Sequence, residues 1–332
     1  MNKNKLIEIV THLVKSPKGI LAIDESLPTC NKRFEKLGVP MTEEKRQEYR
    51  ELLITAPEIE KYISGFILFD ETIKQTDKQR KRFTFILQSK GIDVGIKVDK
   101  GTVDFVGHPG DKVTEGLAGL NERLKEYKNM GATFAKWRAV YKIGENTPSK
   151  RCMEANAEVL ASYALVCQMN DVVPIVEPEI MIDGGHTIEK CYEVTASNLD
   201  IVFSELEKQS VFIPGIILKT SMVLSGKDAL DRASAPKVAE MTVKCLREHV
   251  PADIGGIVFL SGGQEDLEAT ENLNAMHKIP NLPWNLTFSF GRAIQNPALK
   301  AWAKNPEDIT GAQALLLERA KANSLASVGE YK

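Results

Sequence analysis

GIILKTSM, residues 215–222, is an apolar run with a lysine near its end. A strand in a parallel sheet is covered on both faces and normally carries only Val, Ile, Leu or Ala, so Lys219 needs a compensating partner. The same pattern recurs upstream, with Lys97 in VGIKVD, Lys136 and Arg138 in TFAKWRAV, and Glu177 and Glu179 in VVPIVEPEI. Burying a charge is costly unless it is paired. Charged groups at the ends of successive apolar runs therefore imply one shared polar cavity at one end of a sheet or barrel, and that cavity is the candidate active site.

Outward from this stretch, apolar runs begin at Gly19 (GILAID), Gly65 (GFILFD), Asp93 (DVGIKVD), Thr133 (TFAKWRAV), Val172 (VVPIVEPEI), Pro214 (PGIILKTSM), Gly255 (GGIVFLSGG) and Asn285 (NLTFSFGR). Their starts are spaced by roughly 30 to 45 residues, with helical patterns such as NAEVLASYALVCQMN between them. Strand and helix in alternation imply a parallel sheet. Eight such units close into a (β/α)8 TIM barrel, whose active sites lie at the C-terminal ends of the strands. Asp24, Lys97, Glu177, Glu179, Lys219, Ser261 and Arg292 all fall at those ends. The rival is a doubly wound open sheet, which needs a switch point between two halves; the spacing shows no such break. No linker interrupts residues 1–332, so the expected architecture is one α/β barrel domain with an N-terminal helical extension in MNKNKLIEIVTHLVKSPKG.

The composition is that of an ordinary globular chain, 43% hydrophobic and 27% charged. A net charge of −2 gives no overall reason to expect nucleic acid or membrane binding, so any phosphate binding must be local. Five cysteines (Cys30, Cys152, Cys167, Cys191, Cys245) without a CxxC pair argue against a disulfide framework or structural zinc and fit a reducing cytoplasm. No segment reaches the ~18 consecutive apolar residues of a membrane span. The five histidines form no HExxH or close pair, so no metal is expected.

A lysine amine attacks a carbonyl only in its neutral form, which burial and neighbouring cations favour. Lys97, Lys136 and Arg138 are expected to give Lys219 that environment. The Schiff base so formed is an electron sink for making or breaking a carbon–carbon bond beside the carbonyl. Glu177 and Glu179, two apart, share a strand face unless Pro178 ends the strand. Like charges so close are expected to push one carboxyl upward, the condition for a general acid near neutral pH. The plainer role for each is to neutralise a lysine. Asp24 either orients the lysine or a substrate hydroxyl, or caps the helix that follows.

Two anion sites are suggested. In LSGGQ, Ser261, Gly262 and Gly263 precede the acidic start of QEDLEATENLN, and Arg292 arrives from the eighth run. After the first run, Ser26, Thr29, Lys32 and Arg33 form a second cluster, which read alone is more often a solvated helix face.

Together KGILAIDES, GIKVDKG, FAKWR, PIVEPEI, FLSGGQ and TFSFGRA, in this order, resemble the class I fructose-bisphosphate aldolases from residue 18 to residue 331. The resemblance implies a cytoplasmic enzyme of glycolysis and gluconeogenesis, usually a homotetramer, that works without metal or other cofactor. It would cleave fructose 1,6-bisphosphate reversibly into dihydroxyacetone phosphate and glyceraldehyde 3-phosphate. Carried over by motif, Lys219 looks like the Schiff-base lysine, Glu177 the general acid/base, Glu179 its support, and Lys136 and Asp24 the partners of substrate hydroxyls. Lys97 and Arg138 line the cleft. Ser261, Gly262, Gly291 and Arg292 match one phosphate site; Ser26, Lys32 and Arg33 match the other, with Thr29 where animal enzymes have serine.

The lysine motif reads KTSM where animal enzymes have KPNM, so Thr220 and Ser221 are expected to hold the following loop differently. The sequence ends without the tail whose terminal tyrosine assists proton exchange in animal and plant members, and Tyr331 matches the tyrosine before that tail. Alternatives within enzymes are a transaldolase or an aldolase that also takes sedoheptulose 1,7-bisphosphate. In another class, resemblance to proteins that bind cytoskeletal filaments suggests a scaffold role.

Overall fold

The computed structural model describes residues 1–332. Eight parallel strands close a barrel in chain order: β1 Gly19–Ala22, β2 Ile63–Leu68, β3 Asp93–Lys97, β4 Ala132–Tyr141, β5 Val173–Ile180, β6 Ile217–Thr220, β7 Gly256–Phe259 and β8 Leu286–Phe290. β8 pairs back onto β1 through Ile20↔Ser289 and Leu21↔Phe290, which excludes the open sheet. All eight apolar runs are strands.

The helices alternate with the strands and cover the outside, where they bury the larger of two apolar clusters. The smaller cluster fills the barrel. Its wall comes from Ile20, Ala22, Ile67, Phe134, Val173, Ile175, Ile217 and Val258, and its floor from Leu6, Ile9, Val10, Leu13 and Val14. The N-terminal extension is thus the helix Lys3–Leu13, capped by Asn2 accepting from the Lys5 N–H, and it plugs the N-terminal mouth of the barrel. Two glycines make room for this filling. A Cβ on Gly95 would lie 2.2 Å from the Phe134 ring, and one on Gly256 would lie 2.6 Å from Val14.

Side chains alternate along a strand, so the row that begins as apolar filling continues upward as the polar site. Ile20 and Ala22 lead to Asp24, Phe134 to Lys136 and Arg138, Ile175 to Glu177 and Glu179, and Ile217 to Lys219. Pro178 does not end the strand: β5 stays in register with β4 through Arg138↔Glu177, Ala139↔Pro178 and Val140↔Glu179. Its ladder to β6 covers only Ile175 and Val176, and Pro178 lies beyond that pairing.

One element was not anticipated. Between the third and fourth apolar runs, where the sequence shows no further strand, Thr102–Asp104 and Lys112–Thr114 form an antiparallel hairpin after β3. Arg123 holds the base of this excursion by donating to the carbonyls of Val98 and Gly116.

Candidate active site

The charged strand ends converge in a cavity of about 1060 Å³, lined by Asp24, Lys97, Lys136, Arg138, Glu177, Glu179 and Lys219. Ser26, Thr29, Lys32, Arg33, Ser261, Gly262, Gly291 and Arg292 line the same cavity, so the candidate catalytic and phosphate-binding residues meet here, with Gly263 just outside the lining.

At its floor the charges interleave. Lys136 Nζ lies 2.8 Å from Asp24 Oδ2 and 3.0 Å from Glu177 Oε2, while the other Glu177 oxygen, Oε1, lies 3.2 Å from Lys219 Nζ. All four side chains are buried. Lys97 pairs with Asp99 at 2.5 Å, and Arg138 pairs with Glu179. Four cations thus meet four carboxylates, which corrects the expectation that neighbouring cations dominate the surroundings of Lys219. Charges so deeply buried survive only as a balanced set.

The balance also corrects the expectation for Glu177. Burial works to raise its carboxyl, but Lys136, Lys219 and Arg138 outweigh burial and hold it below the usual glutamate value. Its neighbour Glu179 is turned away to Arg138. Resting Glu177 is therefore a carboxylate, a base rather than an acid. Burial favours the neutral amine of Lys136, but Asp24 and Glu177 reverse this and hold it well above the usual lysine range.

Asp24 is the extreme case: burial raises its carboxyl, yet Lys136 and Lys219 bring it from 3.8 down to about 2. A depressed carboxyl stabilises the fold above its unfolded-state value and ceases to do so as pH falls through the folded one. Acid is therefore expected to remove about 2 kcal/mol as pH falls from 3.8 toward 2. Denaturant titrations across that window check this, and Asp24→Asn should flatten the profile; an unchanged profile in the variant would count against the pairing.

The two anion sites differ in readiness. In the loop after β7, Gly262 and Gly263 take φ of +40° and +89°, a left-handed region that favours glycine. Arg292, first residue of the helix Arg292–Lys304, is exposed and reaches over this loop, its Nη2 4.0 Å from where a Gly263 Cβ would sit. Gly291, which lines the cavity, precedes that helix without a side-chain cap, so the first N–H groups of the helix have no side-chain acceptor. At the other site Ser26 and Thr29 share a hydroxyl hydrogen bond of 3.0 Å, and Lys32 is exposed. Arg33, however, is already engaged by Glu25, and also donates to Gln295 and Asn296 at 3.1 Å and 3.2 Å.

Of Thr220 and Ser221, only Ser221 ties the loop to another strand; the Thr220 hydroxyl reaches the adjacent Ser221 carbonyl at 3.3 Å. The Ser221 hydroxyl donates 2.8 Å to the Ile180 carbonyl, tying the chain just after Lys219 to the end of the strand that carries Glu177. Backbone bonds from Gly226, Lys227 and Asp228 to His186, Ile182 and Gly184 extend the tie.

Two contributors were missed. Ser289, on the inward row of β8, is buried in the cavity lining with an unpartnered hydroxyl; the alternation Thr287, Ser289, Gly291 was the available signal. Glu25 was overlooked beside Asp24, although it is clamped by Arg33 and Arg50. No group of three His, Cys, Asp or Glu side chains is arranged to hold a metal ion.

A model of the class-I fructose-bisphosphate aldolases matches residues 5–332. The chain belongs to that family. It is 53% identical over 336 residues to a probable class 1 fructose-bisphosphate aldolase of Xanthomonas campestris, with both chains fully covered. It is 48% identical to cytosolic fructose-bisphosphate aldolase 5 of Arabidopsis thaliana, over 99% of this chain and 92% of that one. Among solved structures, fructose-bisphosphate aldolase from Plasmodium falciparum, in complex with TRAP and a small molecule inhibitor, superposes with a TM-score of 0.97 at 44% identity, covering 99% of this chain and 95% of that one. Membership makes the chain a metal-independent carbon–carbon lyase.

Proposed function

We propose that this chain cleaves fructose 1,6-bisphosphate reversibly into dihydroxyacetone phosphate and glyceraldehyde 3-phosphate, with Lys219 as the Schiff-base nucleophile. The observation that carries the reading is the buried row Lys219, Glu177, Lys136 and Asp24, with 3.2 Å between the amine and its proton acceptor.

Glu177 takes a proton from Lys219, the freed amine adds to the ketose carbonyl, and the surplus proton on nitrogen passes to the new oxygen to give the neutral carbinolamine. Losing one ammonium relaxes the hold on the Glu177 carboxyl, so the proton it has gained is available to the carbinolamine hydroxyl, which leaves as water. Returned to carboxylate, Glu177 accepts the proton of the substrate hydroxyl as the adjacent carbon–carbon bond breaks. The bonding electrons pass into the iminium, giving an enamine and an aldehyde. Asp24, held at about 2, is too weak a base to compete and orients a hydroxyl as an acceptor. Lys136 stays charged and steadies developing negative oxygen; Ser289 offers its hydroxyl to the bound sugar. Glu179 keeps Arg138 fixed at the cavity wall.

Arg292 with the Ser261–Gly263 loop and Gly291 would bind one phosphate; Ser26, Thr29, Lys32 and Arg33, with Lys97, would bind the other. Arg292→Ala is expected to raise KM for the bisphosphate roughly 10- to 100-fold with a smaller change in kcat; an equal effect on unphosphorylated fructose would remove Arg292 from that site. EDTA should leave the rate unchanged, and a loss reversed by divalent metal would overturn the lysine mechanism.

The same two phosphate sites could also serve the seven-carbon sedoheptulose 1,7-bisphosphate, which is the second reading. A direct assay with each bisphosphate decides. The active form is proposed to be a cytoplasmic homotetramer, a mass that sedimentation velocity would measure.

A further inference from the structure

The C-terminal helix Ile309–Ala326 carries a buried arginine that the mechanism does not use. The Arg319 guanidinium makes no ion pair. Its Nε donates 3.1 Å to the Ala293 carbonyl, and its Nη2 donates to the Asp266 carbonyl and, at 2.6 Å, to the Thr270 hydroxyl. Asn323 locks this arrangement: its Nδ2 donates 2.8 Å to the Arg319 carbonyl, and its Oδ1 accepts the Thr270 hydroxyl at 2.9 Å. Thr270 and Asn323 are themselves buried.

The partners of Arg319 are not scattered. Asp266 opens the helix Asp266–Met276, which follows the Ser261–Gly263 loop, and Ala293 is second in the helix Arg292–Lys304, which follows Gly291. One guanidinium therefore joins the first turns of the two helices that bound the Arg292 anion site. The second of these has no side-chain cap of its own, so its placement depends on tertiary contacts. A buried cation lacking a counter-charge is costly, and a phosphate dianion at the mouth of these two helices would answer that charge from the front.

We propose that Arg319 is a positioning residue for phosphate: it sets the spacing of the two helix N-termini and adds positive charge behind them. The inference rests on the reading of Ser261, Gly262, Gly291 and Arg292 as a phosphate site.

The test is steady-state kinetics with fructose 1,6-bisphosphate, and competitive inhibition by inorganic phosphate, on the full chain carrying Arg319→Met, Arg319→Lys, Arg292→Ala or both Arg292→Ala and Arg319→Met. Arg319→Met should raise KM and the phosphate inhibition constant together by about tenfold while kcat changes much less. Arg319→Lys keeps the charge but not the fork, and should recover part of the loss while remaining about threefold above wild type. In the Arg292→Ala background, Arg319→Met should add little, since both act on one site. A lowered melting temperature with unchanged KM and phosphate inhibition would mean a plain structural tie and overturn the proposal. If Arg319→Met does not fold, Arg319→Lys decides by the same two constants. Phosphate inhibition unaffected by Arg292→Ala would instead overturn the phosphate-site reading on which the inference stands; weakened inhibition there with Arg319 silent overturns the positioning role alone.

Discussion

Lys219→Ala is expected to lower the rate of bisphosphate cleavage by about 10⁴-fold or more, because no other group in the cavity can supply the covalent electron sink. The cavity's second lysine on the same floor, Lys136, cannot substitute. Asp24 and Glu177 hold it charged, at 2.8 Å and 3.0 Å. Treating the wild-type protein with dihydroxyacetone phosphate and borohydride should leave a reduced adduct on the peptide containing Lys219, visible by mass spectrometry and absent from the variant. An adduct on Lys136, or cleavage surviving in the variant, would sink the assignment. The same substitution should cost stability. In the balanced site it leaves four carboxylates facing three cations. Removing one partner of a buried pair costs about 3–5 kcal/mol, and Glu177 keeps Lys136 at 3.0 Å, so a loss of roughly 2 kcal/mol is expected in denaturant titrations at neutral pH.

Glu177→Gln should lower kcat roughly 10²- to 10⁴-fold, the usual worth of a positioned proton carrier. The amide can neither take the Lys219 proton nor return one to the carbinolamine. Unlike Lys219→Ala, this variant keeps the nucleophile, so the borohydride-trapped adduct should still form, only slowly. Time-resolved trapping separates the two roles: adduct formation at the wild-type rate with cleavage lost would restrict Glu177 to the bond-breaking step. Full activity would remove it from the mechanism. The substitution also deletes the carboxylate that sits between two ammonium groups, so the acid/base defect should be read against an independent measurement of stability.

The eight strands could be read from the chain because each run is short, apolar and bounded by turn-forming residues, at a spacing that leaves room for one helix. Local information is enough for that. The hairpin Thr102–Asp104 and Lys112–Thr114 escaped the same reading because its strands are three residues each and, save for Thr114, exposed or half-exposed, with no apolar periodicity to announce them. Ser289 escaped because a serine in a strand carries no charge to demand an explanation, although it stands on the same inward row as Lys219.

The sequence by itself determined a barrel of eight βα units, a polar end to that barrel, and most of the charged residues that occupy it, since side-chain alternation and the high energy of buried charge act residue by residue. Which charge meets which was decided only by the closed structure. Asp24 from β1 reaches Lys136 from β4 because the sheet curves back on itself, and Glu177 lies between Lys136 and Lys219 because three neighbouring strands align their inward rows. Electrostatic energies fall with distance and change sign with partner, so the state of Glu177, the prior engagement of Arg33 by Glu25, and the unpaired guanidinium of Arg319 follow from contacts between segments far apart in the chain.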